Sequence, residues 1–197
     1  MGKLTVTSFV TLDGVQQGPG DVDEDRTGGF DLGGWVVPFA DEEMGAAIVG
    51  WYAKADAFLL GRRTYENFAG FWPTQTDPAD PIAAALNGKP KHVVSTTVTN
   101  SDWAGTSFVK DDVAAEVRRL KEQYDGELQV HASATLLKTL IEHDLVDEYR
   151  LLVFPVVLGK GRKLFADGVV PRSLKHVSTS TTGAGVVAHV YAAGESA

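Results

Sequence analysis

Glu127 to Ile141, ELQVHASATLLKTLI, changes its period halfway. Glu127 to Ala132 reads as a strand, whereas Leu136, Leu137, Leu140 and Ile141 recur at the spacing of a helix with one apolar stripe. Ser133, between the two, is a residue that caps helix N-termini. The order strand, polar cap, helix also occurs at DAFLLGRRTYENF, Asp56 to Phe68. There the apolar run Ala57 to Leu60, bounded by Asp56 and Gly61, has the pattern of a strand buried on both faces, and a helix follows from about Arg62.

The rest of the chain extends this unit. Val6, Val10 and Leu12 alternate with Thr5, Thr7 and Thr11 in a first strand that ends at the Asp13-Gly14 turn. Residues 16–34 are glycine-rich and acidic, a long loop of the kind that is a substrate lid or a solvated excursion. Asp41 can cap a helix carrying Met44, Ile48, Val49 and Tyr52. Pro78 to Leu86 makes a short helix, and Lys91 to Thr96 is a strand. Asp111 and Asp112 then open a helix with Val113, Val117, Leu120 and Tyr124 on one face. Leu151 to Leu158 is apolar but interrupted by Pro155, which predicts a bend or an edge strand. Two strand-like runs between 174 and 192 flank Thr182-Gly183-Ala184-Gly185 as a hairpin. The expectation is an α/β fold: a mixed, mainly parallel sheet with helices on both faces and a C-terminal antiparallel hairpin. A length of 197 residues suits a single domain.

Composition narrows the function classes. A net charge of -8 with no basic patch argues against nucleic acid as a partner. The absence of cysteine excludes disulfides, thiolate zinc sites and cysteine nucleophiles, and it fits a cytoplasmic protein. The start of the chain lacks the layout of a signal peptide, and no apolar run is long enough to span a membrane. The five histidines are scattered without ligand spacing, so no metal site is expected. No nucleophile elbow, Walker loop or zinc-deaminase signature is present.

Ligands of such sheets bind beyond the carboxyl ends of the strands. Three of those ends are alike: Gly61-Arg62-Arg63-Thr64, Ser95-Thr96-Thr97 and Ala132-Ser133-Ala134-Thr135. The first and third open helices, whose free N–H groups and positive dipole ends favour anions, and Arg adds a planar fork suited to phosphate. Singly, each end is also ordinary turn and cap chemistry; side by side, the three can hold a dinucleotide.

With SFVTLDG at the first strand, FLLGRRTYENF, HVVSTT, the segment VHASATLLKTLIEHDLVDEYRLLVFPVVLGKGRKLF and the closing hairpin, nearly the whole chain resembles the dihydrofolate reductase superfamily. It is most similar to the branch related to the reductase domain of the bacterial riboflavin-biosynthesis deaminase-reductase. The resemblance implies a three-layer dihydrofolate reductase-like fold, NADPH as cofactor and a homodimer. By position, Gly61, Arg62, Arg63 and Thr64 would meet the cofactor's phosphates, Ser95, Thr96 and Thr97 its adenosine 2'-phosphate, and Ser133, Ala134 and Thr135 the pyrophosphate. Leu158, Gly159, Gly161 and Arg162 resemble the loop beside the active site. The family usually places glycine before the capping position; here His131-Ala132 stands there, and a Cβ at Ala132 disfavours positive φ and crowds a phosphate.

For catalysis, Gly33 to Glu43 resembles the segment that carries the family's acid, which points to Asp41, with Trp35 one residue further away than usual. Asp41 also reads as an N-cap. Asp13 borders the substrate pocket in the riboflavin branch and also reads as turn chemistry. Trp35, Trp72 and Phe71 can stack a flat heterocycle or belong to the core. The implied activity is NADPH-dependent reduction of a small nitrogen heterocycle, first the phosphoribosylaminouracil of riboflavin biosynthesis. Its phosphate would meet Lys160, Arg162 and Lys163. Folate reduction and a non-catalytic binding module are the alternatives.

Overall fold

The computed structural model describes residues 1–165 and 167–196. Eight strands form one sheet: β1 (Lys3–Thr11), β2 (Ala55–Gly61), β3 (Lys91–Val94), β4 (Thr106–Val109), β5 (Glu127–His131), β6 (Glu148–Phe154), β7 (Arg172–Thr181) and β8 (Val187–Ser196). Their order is β4-β3-β2-β5-β1-β6-β8-β7. The first six in that order run parallel; β8 pairs antiparallel with β6, and β7 with β8. Helices α1 (Glu42–Tyr52), α2 (Arg62–Phe71) and α3 (Pro81–Gly88) cover one face, and α4 (Val113–Gln123) and α5 (Ala134–Glu142) the other. This is the expected three-layer, mainly parallel arrangement with its antiparallel hairpin.

The two faces follow from alternation within each strand. In β2, Ala57 and Leu59 pack with Leu136, Leu137 and Leu140 of α5, while Phe58 and Leu60 pack with Tyr52 of α1 and Leu86 of α3. Several local expectations change. Strand β1 stops at Thr11, and Leu12, beyond it, is 65% exposed rather than on the core face. Gly14, at φ +82°, instead closes a turn whose N–H donates to the Thr11 carbonyl. Pro155 marks neither an edge nor a bend within a strand: β6 ends at Phe154, because proline has no N–H for the next rung, and β6 lies inside the sheet between β1 and β8. Helix α3 starts three residues later than expected, where the Asp80 carboxylate accepts from the Ile82 and Ala83 N–H groups. Strand β4, only four residues long, carries no alternation strong enough to mark it.

The threonines and Ser8 of β1 are buried rather than solvated. Thr7 pairs with His131 of β5 on one side and Arg150 of β6 on the other, all on the face that α1 covers. His131 stacks on Tyr52, ring centroids 4.5 Å apart, and its Nε2 lies 3.3 Å from Gln129 Oε1. Burial, aided by the Arg150 charge, pushes the imidazole down to about 3. His131 is therefore neutral in the fold but takes up a proton near 6.5 when the chain unfolds. The unfolded state gains protons first as pH falls, so stability present above about 6.5 is lost below it, by ~1.4 kcal/mol per pH unit. Replacing His131 with Gln is expected to remove about 2 kcal/mol of the native protein's acid destabilisation at about pH 5. Denaturant midpoints of both proteins at neutral and acid pH measure this; parallel losses would mean that His131 does not titrate on unfolding.

Candidate functional site

Strands β2 and β5 are hydrogen-bonded neighbours, so α2 and α5 leave the sheet side by side. A cavity of about 310 Å³ opens at their N-termini. Gly61 to Thr64 and Ala132 to Leu136 form one wall, and Gln16 to Pro19 with Glu24 and Asp25 form the other. Asn67 and Arg162 complete the lining. The structure thus brings the first and third of the predicted strand ends into one site.

Helix capping sets this site apart from the rest of the fold. Asp41, Asp80 and Asp112 cap α1, α3 and α4 through their carboxylates. Neither α2 nor α5 has a side-chain cap, so the N–H groups of both first turns keep their affinity for an external anion. Ser133 stands at the cap position of α5 but does not cap it, contrary to expectation. Its backbone is left-handed, at φ +68°, and its hydroxyl turns toward the neighbouring unit. There Ser133 Oγ accepts from the Gly61 N–H at 3.1 Å and meets Thr64 Oγ1 at 2.7 Å. A Cβ on Gly61 would stand 2.8 Å from that hydroxyl oxygen, so the contact between the two helix ends requires glycine here.

Ala132 is also left-handed, at φ +51°. Two consecutive side chains therefore occupy a conformation that costs an L-residue about 1–2 kcal/mol. Substituting glycine for Ala132 is expected to stabilise the fold by up to about 1 kcal/mol, after glycine's larger unfolded-state entropy is subtracted. The cofactor that the resemblance implies, NADPH, would bind more tightly as the Cβ is withdrawn from the cavity wall. Denaturation and fluorescence titration measure the two effects separately; unchanged or weaker NADPH binding would show that the methyl group does not crowd the ligand.

The charges at the cavity are mostly paired. Arg62 is held by Glu66 at 3.0 Å, whereas Arg63 has no acidic partner among the described residues. Arg162 pairs with Asp25, and Lys160 with Asp31 at 2.5 Å. Lys160 and Arg162 are thus tied to the glycine-rich loop rather than left free for a substrate phosphate. Lys163 lines a different cavity of about 340 Å³, with Leu12, Asp13 and Phe165. At Asp25, burial raises the carboxyl, but hydrogen bonds from Thr27 and the Arg162 charge together hold it below its ordinary value. At Glu24, burial prevails over the hydrogen bond from the Gly20 N–H and holds the carboxyl above its ordinary value.

Both expected acids lie outside this cavity. Asp41 accepts from the Met44 N–H at 2.8 Å with one oxygen and from the Ala184 N–H at 3.0 Å with the other, joining helix α1 to the hairpin; these bonds hold its carboxyl below the ordinary range. Asp13 accepts from the Thr11 hydroxyl and from the N–H groups of Leu158 and Gly159, which likewise lowers it. Asp13 therefore positions the 158–159 turn. Gly161, at φ +119°, packs where a Cβ would come within 2.7 Å of Val15 Cγ1. Trp35 belongs to the core: it packs edge-on against Phe154, and its Nε1–H donates to the Gln17 carbonyl. Trp72 packs against Phe68 and Phe71. The Ser95 hydroxyl accepts from its own loop, at the N–H groups of Thr97 and Val98. Because Val94 pairs with Gly61, Ser95 to Thr97 emerge beside the first turn of α2, adjacent to the cavity without lining it.

Gln16, Gln17, Glu24 and Asp25 of the glycine-rich loop line the cavity but were not singled out within it, because no periodicity runs through such a loop; Asn67 of α2 was not marked either. A wider concavity of about 760 Å³ lies between Ala69, Pro73, Asn87 and Trp103; no Lys, Arg or His lines it, so it lacks the charge that a phosphate needs. No group of three or more metal-ligating side chains occurs among the described residues. No helix among them is long and apolar enough to cross a membrane.

A family model described as the RibD C-terminal domain matches residues 2–188. "Uncharacterized protein YyaP" of Bacillus subtilis (strain 168) is 33% identical over 192 residues, which cover 96% of this chain and 94% of the relative. Among solved structures, the diaminohydroxyphosphoribosylaminopyrimidine deaminase/5-amino-6-(5-phosphoribosylamino)uracil reductase of Thermotoga maritima superposes with a TM-score of 0.65 at 13% identity, over 98% of this chain and 57% of that one. Dihydrofolate reductase of Enterococcus faecalis, complexed with NADP(H), superposes with a TM-score of 0.61 at 13% identity, over 98% and 97%. At these identities the structural likeness is one of fold.

Proposed function

Because the chain belongs to the RibD C-terminal domain family, we propose that it is an NADPH-dependent reductase of a small nitrogen heterocycle, with 5-amino-6-(5-phosphoribosylamino)uracil as first candidate substrate. The observation that carries this reading is the pair of adjacent helix N-termini left without carboxylate caps, with the unpaired Arg63 beside them. That donor set fits a pyrophosphate. The N–H groups of both first turns and the hydroxyls of Thr64 and Thr135 would hold it, and the wall from Gln16 to Asp25 would exclude water. When bound, NADPH would supply the hydride that reduces a ribosyl imine carbon. Glu24, the cavity carboxyl that burial holds up, would hold the proton that the imine nitrogen takes.

The test is loss of NADPH absorbance in the presence of each candidate substrate. Glu24→Gln should slow turnover by about a hundredfold or more and leave NADPH affinity unchanged. Tight NADPH binding without oxidation would favour a binding module. The left-handed Ala132 and Ser133, where glycine would be unstrained, are the features that favour that second reading.

A further inference from the structure

We propose that the C-terminal hairpin holds a divalent transition-metal ion between His176 of β7 and His189 of β8. His176 Nε2 lies 2.8 Å from Thr179 Oγ1, and His189 Nδ1 lies 3.0 Å from the same oxygen. Two imidazole nitrogens on different strands thus converge on one point. The convergence depends on a bulge. Residues three apart on a regular strand face opposite sides of the sheet, so His176 and Thr179 would otherwise diverge. The register shifts between His176, which pairs with Tyr191, and Ser178, which pairs with Val190, and Val177 is the extra residue. It resets the alternation and turns His176 and Thr179 to one face, where Thr179 pairs with His189. The Tyr191 ring, its centroid 5.8 Å from that of His176 and 5.7 Å from that of His189, limits how far either imidazole can turn away.

The donor set names the class of ion. Imidazole suits Zn²⁺, Ni²⁺ and Cu²⁺, whereas Mg²⁺ and Ca²⁺ take oxygen ligands. A metal–imidazole bond is about 2.1 Å long, so an ion at the position of the Thr179 hydroxyl needs each nitrogen to move inward by less than about 1 Å. No third His, Asp or Glu joins the pair among the described residues, and water would complete the coordination. Strand β7 is exposed from Ser173 to Thr181, so an ion reaches the pair from solvent. It is the last strand in the sheet order, held by β8. A bound ion would fasten this outermost strand to its neighbour across the bulge, where the ladder of hydrogen bonds is interrupted.

The experiment titrates Zn²⁺, Ni²⁺ and Mg²⁺ separately, by calorimetry, into the native chain, His176→Gln, His189→Gln and, as a control, His143→Gln at the end of α5. Urea unfolding of each protein with and without Ni²⁺ accompanies it. The native chain is expected to bind one Zn²⁺ or one Ni²⁺ with a micromolar Kd and to bind no Mg²⁺. Ni²⁺ should raise its urea midpoint, because the two nitrogens converge only in the folded hairpin. His176→Gln and His189→Gln should each raise the Kd at least about tenfold and lose the shift in midpoint, whereas His143→Gln should change neither. Metal-free midpoints close to the native value show that the variants are folded. No binding by the native chain, unchanged binding in either hairpin variant, or equal weakening in all three variants overturns the assignment.

Discussion

Thr135→Asp is expected to raise the stability of the fold slightly and to weaken the proposed dinucleotide binding at least a hundredfold. Thr135 is the second residue of α5, exposed at the cavity, and that helix has no side-chain cap. A carboxylate in the first turn of a helix is favoured by about 0.5 kcal/mol through the dipole and the free N–H groups. The same carboxylate would occupy the position proposed for the pyrophosphate. Two negative groups about 4 Å apart at an effective dielectric near 20 repel by about 4 kcal/mol, so affinity should fall at least a hundredfold. Denaturant midpoints and NADPH titration should therefore move in opposite directions. Unchanged NADPH affinity would mean that no anion sits at the N-terminus of α5.

Arg150→Met is expected to cost about 3–5 kcal/mol. Arg150 is buried in β6, where its guanidinium donates to both oxygens of Glu127, at 2.6 and 2.8 Å, and to Glu148 at 2.7 Å. Burial raises the Glu127 carboxyl, but the Arg150 hydrogen bonds and charge hold it below its ordinary value. Removing the cation leaves two poorly solvated carboxylates facing each other, and most of the cost arises there. Adding Glu127→Gln and Glu148→Gln should recover much of the loss, and acid pH should recover part of it by protonating Glu127, whose burial raises its carboxyl once the Arg150 charge is gone. Urea unfolding of the three proteins measures both; a loss under 1 kcal/mol would mean that water replaces the guanidinium.

Most of the fold was legible because its signals are local. The change of period at Ser133 placed β5 and α5, the apolar run Ala57 to Leu60 placed β2, and the glycines at 183 and 185 placed the hairpin between β7 and β8. The site was legible only in part. Gly61 to Thr64 and Ala132 to Thr135 do share a cavity, because strand-helix junctions of adjacent parallel strands emerge together. Ala132 does take the positive φ that a Cβ disfavours. Trp35 entered the core instead, and Asp41 and Asp13 gave their oxygens to backbone N–H groups of the hairpin and the 158–159 turn. Those partners are more than a hundred residues away in the chain, and no local pattern predicts them.

From the sequence alone came the alternation of strands and helices, the glycine turn between β7 and β8 and the exclusion of thiol chemistry. Each depends on a residue's own backbone preference, on the solvent face of its element or on composition. The tertiary structure decided which way Ser133 Oγ turns, which cations Asp25 and Asp31 neutralise, and that Gln16 and Glu24 reach the cavity. The physical reason is that a side chain's hydrogen bonds and its exposure to water depend on which distant segment the sheet order places beside it.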